Sequence, residues 1–326
     1  MSIQFGVELE MKNIRGSDIV EIMNQTGNIM PAKVHTYMEG RNWRASRGSQ
    51  SPGPFSGQWK MVEDSSINGY SCSMESKGSI ELVSPVLFNE AGRANFFRIL
   101  DGLKATTASV DISCGTHISV GLDGKARWVA MSVANKAKVA NRMVAFYQHF
   151  QPVFDAISPN CRKANTTEMS VGMMGAHFMD ENGTEGCGRY TVLNLDSYIT
   201  YGRVEFRQPG FTLDKQNLGR WLKIINSVVS MSLNENHCSR TMTLSEMPQT
   251  VDGFATYLGL SNAMRENVRA RVLSLYNNHR RGRVERLAVL WDGTPPAATC
   301  RYCNAHHDCP AWPDCGGSNP DGSEAA

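Results

Sequence analysis

The sequence predicts an α+β fold in which an antiparallel or mixed sheet carries helices on one face. Three observations predict it. Several short segments alternate strictly between apolar and polar residues, as in Phe5-Gly6-Val7-Glu8-Leu9-Glu10. Segments with helical apolar stripes lie between them. Two strand-like runs, 189–195 and 203–207, follow one another across a turn near 200–202, as paired antiparallel strands do.

In chain order, residues 5–10 read as a half-buried strand, with Phe5, Val7 and Leu9 on one face and Glu8 and Glu10 on the other. Ser17 or Asp18 caps a short helix running to about Gly27. The Gly/Ser/Pro/Arg-rich stretch 41–57 reads as a surface loop. Strands follow at 58–62 and 78–83, the second ended by Pro85. Asn89 caps a helix carrying Phe96, Phe97, Leu100 and Leu103 at helical spacing. Residues 110–122 read as a strand and 125–157 as one long helix. Thr212 caps a helix whose stripe is Leu218, Trp221, Leu222, Ile225, Val228 and Val229. Two weaker helices occupy 251–258 and 261–277. No internal repeat interrupts this order. The clear compositional boundary falls after Gly293, which divides a body of residues 1–293, helical from about 212 to 290, from a tail of residues 294–326.

Composition narrows the function classes. The chain has 326 residues with 33 Lys+Arg against 31 Asp+Glu, so its net charge of +2 lacks the basic excess of a dedicated nucleic-acid binder. With 41% apolar residues it is not a disordered chain. No apolar run reaches the roughly 18 residues a spanning helix needs. Met1-Ser2-Ile3-Gln4-Phe5 carries no basic segment leading into an apolar one, so a cytosolic protein without a membrane partner is expected. The 9 cysteines are an odd number in a chain without a secretory signal, which argues against a disulfide framework.

The polar face of the strands is the informative one. Glu8 and Glu10 share a face, Glu81 points away from Ile80 and Leu82, His117 opposes Ile118, and Glu205 and Arg207 oppose Val204 and Phe206. Polar-out alternation is ordinary for any single strand. As a set, these side chains place carboxylates with an imidazole and a guanidinium but without matching lysines. Like charges in close reach raise each other's pKa values or require a cation. Oxygen ligands with an occasional imidazole suit Mg²⁺ or Mn²⁺, which also bind substrate phosphates, and Arg207 would meet a phosphoryl group bidentately.

The tail has a different chemistry. Cys300 and Cys303 form a Cys-x-x-Cys pair, followed by His306, His307, Cys309 and Cys315. These offer more than the four ligands of a zinc that would be structural or would dock a protein partner; the alternative reading is a tail whose cysteines are incidental. Upstream, Arg265, Arg269, Arg271, Arg280, Arg281, Arg283 and Arg286 form a basic stretch that reads as a solvated helix face and loop, or as a receiver of an acidic substrate.

Glu8 and Glu10 within Phe5–Glu10, the run Trp59-Lys60-Met61-Val62-Glu63-Asp64-Ser65-Ser66, Glu81-Leu82-Val83-Ser84-Pro85, Cys114-Gly115-Thr116-His117-Ile118-Ser119-Val120-Gly121, Arg189 with Leu193-Asn194, and Val204-Glu205-Phe206-Arg207 occur in one order. In that order they resemble the amidoligase family, carboxylate–amine ligases of the glutamine synthetase and γ-glutamylcysteine ligase superfamily. The resemblance spans residues 3–233. It implies a curved sheet of the glutamine synthetase catalytic-domain type whose concave face holds ATP and Mg²⁺ or Mn²⁺. It further implies Glu8, Glu10, Glu81, His117 and Glu205 as metal ligands and Arg207 and Arg189 as contacts to the transferring phosphate. Asn194 would sit at the nucleotide and Asp64 at the substrate or amine.

Two features depart from the family: Ser119 stands where a second histidine is frequent, and loop 41–57 is long. The implied activity is ATP-dependent amide or isopeptide formation through an acyl phosphate. Its substrates would be a carboxylate and an amine belonging to small molecules, peptides or a cell-wall component. No Gly-x-x-x-x-Gly-Lys-[Ser/Thr] loop is present, so metals and sheet residues would hold the nucleotide. The residues alone also fit a zinc-binding interaction protein on a ligase-like scaffold, or a metal-dependent hydrolase using the same carboxylates.

Overall fold

Strand β1 (Gln4–Ile14) organises the sheet, because its alternate residues Phe5, Val7, Leu9 and Met11 are buried while Glu8 and Glu10 take the opposite face. In the computed structural model, residues 4–28, 59–64, 66–122, 126–159, 162, 174–180, 182–183, 191–234, 243–278 and 289 are described. Among them the chain forms two compact units, one from residues 1–148 and 161–235, the other from 149–160 and 236–326.

The first unit is an α+β structure. Its sheet also contains β2 (Lys60–Val62), β3 (Gly78–Val83), β4 (Thr116–Gly121), β5 (Leu193–Asn194) and β6 (Arg203–Phe206). The six strands run in the order β2-β3-β1-β4-β6-β5, and every pair is antiparallel. Helices α1 (Gly16–Gln25), α2 (Asn89–Lys104), α3 (Ala126–Val129), α4 (Val133–His149), α6 (Tyr198–Tyr201) and α7 (Lys215–Leu233) accompany it, while α5 (Gln151–Ile157) lies in the second unit. On the apolar side of the sheet, Phe5 of β1 meets Phe96 of α2 edge to face at 6.5 Å. Phe206 of β6 lies 5.9 Å from Tyr147 of α4. These rings are fully or almost fully buried and tie the helices to that face.

Several elements differ from the sequence reading, each for a local reason. The expected strand 110–122 begins only at Thr116, because Asp111 turns the preceding segment: its carboxylate accepts from the backbone and hydroxyl of Ser113. The expected single helix 125–157 is three helices. Ser132, just before α4, accepts the N–H of Asn135 as a cap does, and Pro152 sits in the first turn of α5, where its missing N–H costs nothing. Asp214, not Thr212, caps α7, accepting the N–H of Gln216. The turn near 200–202 is one helical turn closed by Gly202 in the left-handed region (φ 60°). Loop 41–57 and the tail boundary at residue 294 lie outside the described residues.

The second unit packs α5 against α8 (Val251–Leu258) and α9 (Asn262–Asn278). Phe150 and Phe154 each meet the ring of Phe254 edge to face. The described part of the basic stretch is internally paired: Arg269 lies 2.6 Å from Asp252 and 3.0 Å from Glu266, Arg265 approaches Asp252, and Arg271 donates to the Ile157 carbonyl. Arg280, Arg281, Arg283 and Arg286 lie outside the described residues. Cys72 and Cys114 are buried free thiols, and burial pushes Cys72 up to about 11. Among the described residues no helix is long and apolar enough to cross a membrane.

Gly78 opens β3 against the Tyr70–Cys72 segment, whose backbone it pairs through Ser79 N–H to the Tyr70 carbonyl at 2.7 Å. A Cβ at this glycine would run into the backbone of Tyr70, Ser71 and Cys72, none of which can yield without breaking those bonds. Replacing Gly78 with alanine is therefore expected to destabilise the first unit by about 2 kcal/mol. A chemical denaturation midpoint equal to that of the parent chain would refute this.

Candidate functional site

Strand register assembles the polar face. Pairing β1 with β4 sets Glu8 opposite His117, pairing β1 with β3 sets Glu10 opposite Glu81, and pairing β4 with β6 sets Ser119 opposite Glu205. Alternation within each strand, together with this register, thus brings residues from four strands to one patch. Ser119 is the small neighbour of Glu205 in this register.

His117 is the hub. Its Nδ1 lies 3.2 Å from Glu8 Oε2 and 3.3 Å from Glu205 Oε1, and its Nε2 lies 3.5 Å from Glu10 Oε1. The histidine and Glu10 side chains are each only 4% exposed, whereas those of Glu205 and Glu8 are 15% and 30% exposed. Both ring nitrogens therefore face carboxylates, on a buried side and on an open side. Among the described residues two ligand sets result, Glu8–His117–Glu205 and Glu10–Glu81–His117, with donor atoms within 4.8 Å of one another in each. His117 Nε2 is buried without a hydrogen-bond partner among the described residues. An orphaned imidazole nitrogen among carboxylate oxygens is a donor set that fits Mg²⁺ or Mn²⁺.

Neighbours orient these ligands. Asn194 Nδ2 donates to Glu205 Oε2 at 2.6 Å, and Arg207 Nη1 donates to Glu205 Oε1 at 2.7 Å. The Gly115 N–H donates to Glu10 Oε2. Asp64 is half-buried beyond β2, accepts the Ser66 N–H at 2.7 Å, and is close enough for its charge to act on Glu81. Of the residues read from the sequence, Glu8, Glu10, Glu81, His117 and Glu205 thus gather on one face of the sheet, with Arg207 and Asn194 bonded to Glu205 and Asp64 near enough to act on Glu81. Arg189, Cys300, Cys303, His306, His307, Cys309 and Cys315 lie outside the described residues.

The sequence reading missed Arg162. Its guanidinium lies 3.5 Å from Glu10 Oε2 and is 95% or more buried by side chain. It reaches the site from the chain beyond α5, with no periodicity to announce it. Gly115 was visible as part of a motif, and the structure supplies its reason: a Cβ there would fall 2.5 Å from Arg162 Nη2.

Electrostatics divide the carboxylates. Burial pushes Glu81 up to about 9, helped by the negative charges of Glu8, Asp64 and Glu10, so it carries a proton at neutral pH and shares a hydrogen bond with Glu8. Burial also opposes the ionisation of Glu8. His117, through its hydrogen bond and charge, together with the Glu81 hydrogen bond and the Arg207 charge, outweighs that and holds Glu8 below the ordinary carboxylate value.

The family model described as "Putative amidoligase enzyme" matches residues 1–229. No curated protein matches the chain. Among solved structures, one titled "Apo GmaS without ligand" is similar at 12% sequence identity, covering 90% of this chain and 71% of that chain with a TM-score of 0.33. A likeness at that score supports no argument about fold or chemistry.

The raised pKa of Glu81 has a consequence for stability. An acid that binds its proton more tightly when folded stabilises the fold while protonated, and that contribution fades once pH exceeds the unfolded value of 4.5. With chelator present, stability is expected to fall from about pH 5 to pH 9, by at most about 1.4 kcal/mol per pH unit. Urea denaturation across that range measures the slope. Glu81→Gln should flatten it, and an equal slope in that variant would contradict the assignment.

Proposed function

The chain belongs to the amidoligase family, and from that premise we propose that it is an ATP-dependent ligase joining a carboxylate to an amine. The observation that carries the proposal is the gathering of Glu8, Glu10, Glu81 and Glu205 around the buried His117 on one sheet face. Arg207 and Asn194, both bonded to Glu205 on the same face, add a cation and an amide of the kind that contact a transferring phosphate.

In this reading the substrate carboxylate attacks the γ-phosphoryl group of ATP, ADP leaves, and the amine then displaces phosphate from the acyl phosphate to give the amide. Mg²⁺ or Mn²⁺, when bound, would offset the negative charge that develops on the transferring phosphoryl group. Glu8, His117 and Glu205 would hold one such ion, because they are the ligand set with solvent-open members. Asn194 fixes Glu205 by taking its Oε2, which leaves Oε1 directed at His117 and Arg207. Arg207, which bonds Glu205 with its side chain 14% exposed, would exchange that carboxylate for a phosphoryl oxygen. Arg189 is proposed as a second phosphate contact. Asp64 offers a half-buried carboxylate suited to an ammonium substrate. Positioning and charge, more than a strong general base, carry such a transfer.

The finer assignments, a sheet of the glutamine synthetase type and a structural zinc held by ligands between Cys300 and Cys315, belong to the same proposal.

The experiment is ADP release from the full chain with ATP, Mg²⁺ and pooled carboxylates and amines. ADP formation is expected only when both co-substrates are present, with kcat falling about 100-fold or more in Glu205→Gln. Product formed without nucleotide would replace the ligase with a hydrolase. Absence of ADP with every pool would remove catalysis by ligation.

A further inference from the structure

Arg162 is 4% exposed, and a guanidinium leaves water at large cost unless a counter-charge meets it. Glu10 is the acid it meets, at 3.5 Å from Nη2, and the Ser113 carbonyl lies at the same distance. The guanidinium lies over Gly115, whose missing side chain is the space it fills. Among the described residues its Nε is buried without a hydrogen-bond partner, and neither a carboxylate fork nor a network of backbone acceptors fixes the group. At 3.5 Å the contact with Glu10 is too long for a strong hydrogen bond. The short bond that orients Glu10 comes from the Gly115 N–H. Charge, more than orientation, is what Arg162 contributes.

The two ligand sets consequently differ. Glu10, Glu81 and His117 are all buried. Even with both carboxylates ionised, a divalent ion there would neutralise them and leave Arg162 as an uncompensated buried cation. That ion would also have to shed most of its water, which Mg²⁺ does reluctantly. At Glu8, His117 and Glu205 the charges are the same in number, but Glu8 is 30% exposed and Arg207 14% exposed. There an ion keeps waters, and the arginine has room to withdraw.

We propose that Arg162 acts as a built-in counter-cation at the Glu10 end, so that the nucleotide-free chain holds one tight divalent ion, on Glu8, His117 and Glu205, and takes a second at Glu10 and Glu81 only weakly. The inference rests on the cation reading given under Proposed function and goes beyond it by assigning the two positions unequal strength.

The test is Mn²⁺ titration of the nucleotide-free full chain, read by the paramagnetic resonance signal of free Mn²⁺ and by calorimetry. One tight ion per chain is expected, with any second at least about tenfold weaker. Arg162→Gln should strengthen the second position about tenfold or more, Arg162→Lys should leave it weak, and Glu8→Gln should remove the tight ion. Two equally tight ions in the parent chain would overturn the inference. So would a second position unchanged or weakened in Arg162→Gln, or a tight ion retained in Glu8→Gln. Absence of any bound Mn²⁺ in the parent chain is a separate result, since it overturns the cation reading itself. The parent stoichiometry and Glu8→Gln decide the matter even where Arg162→Gln does not fold.

Discussion

The carboxylate face depends on the register that sets Glu8 opposite His117 between β1 and β4. A strand has a side-chain period of two, so a slip of one residue would turn His117 into the apolar layer and bring Ile118 to the acids. What prevents that slip is the buried side of the same strands. Val7, Leu9, Ile118 and Val120 are at most 1% exposed there, and Phe5 closes against Phe96. The apolar core and the polar site are therefore two consequences of one alignment. Helices on one face supply the energy that holds acidic side chains together on the other.

That arrangement has an electrostatic cost, which the site distributes. Crowded buried carboxylates disfavour their own ionisation. Here Glu81 responds by keeping its proton, while Glu205 and Glu10 are met by Arg207 and Arg162. Glu8, the most open of the four, stays ionised with help from His117. A net charge of +2 over the whole chain conceals this local excess of acid. Each compensating group sits at a different depth, and depth separates a position that an ion can reach with waters attached from one that it cannot.

Much of the face was legible in the sequence because period-two alternation is a local property. Glu8 and Glu10, Glu81, His117 and Glu205 each stood opposite apolar neighbours within their own strand. Ordering those strands required the family motifs, since alternation says nothing about which strand lies beside which. Arg162 was not legible: it belongs to no strand of the sheet and reaches Glu10 from 152 residues away in sequence. The capping of α7 by Asp214 and the break between α4 and α5 escaped for a related reason. Residues two apart, such as Thr212 and Asp214, offer the same capping chemistry, and only the path of the backbone chooses between them. Helical periodicity likewise carried from α4 into α5, although the chain passes from one compact unit to the other at 148–149.

Imidazole ligation is the point on which the proposed chemistry turns, because His117 is the shared member of both ligand sets. Pulsed electron paramagnetic resonance of Mn²⁺ bound to the full chain, with histidine labelled with ¹⁵N, reads that bond directly. A nitrogen coupling that is present in the parent chain and lost in His117→Gln is the predicted result. Bound Mn²⁺ without nitrogen coupling, or a coupling that survives in His117→Gln, would contradict it.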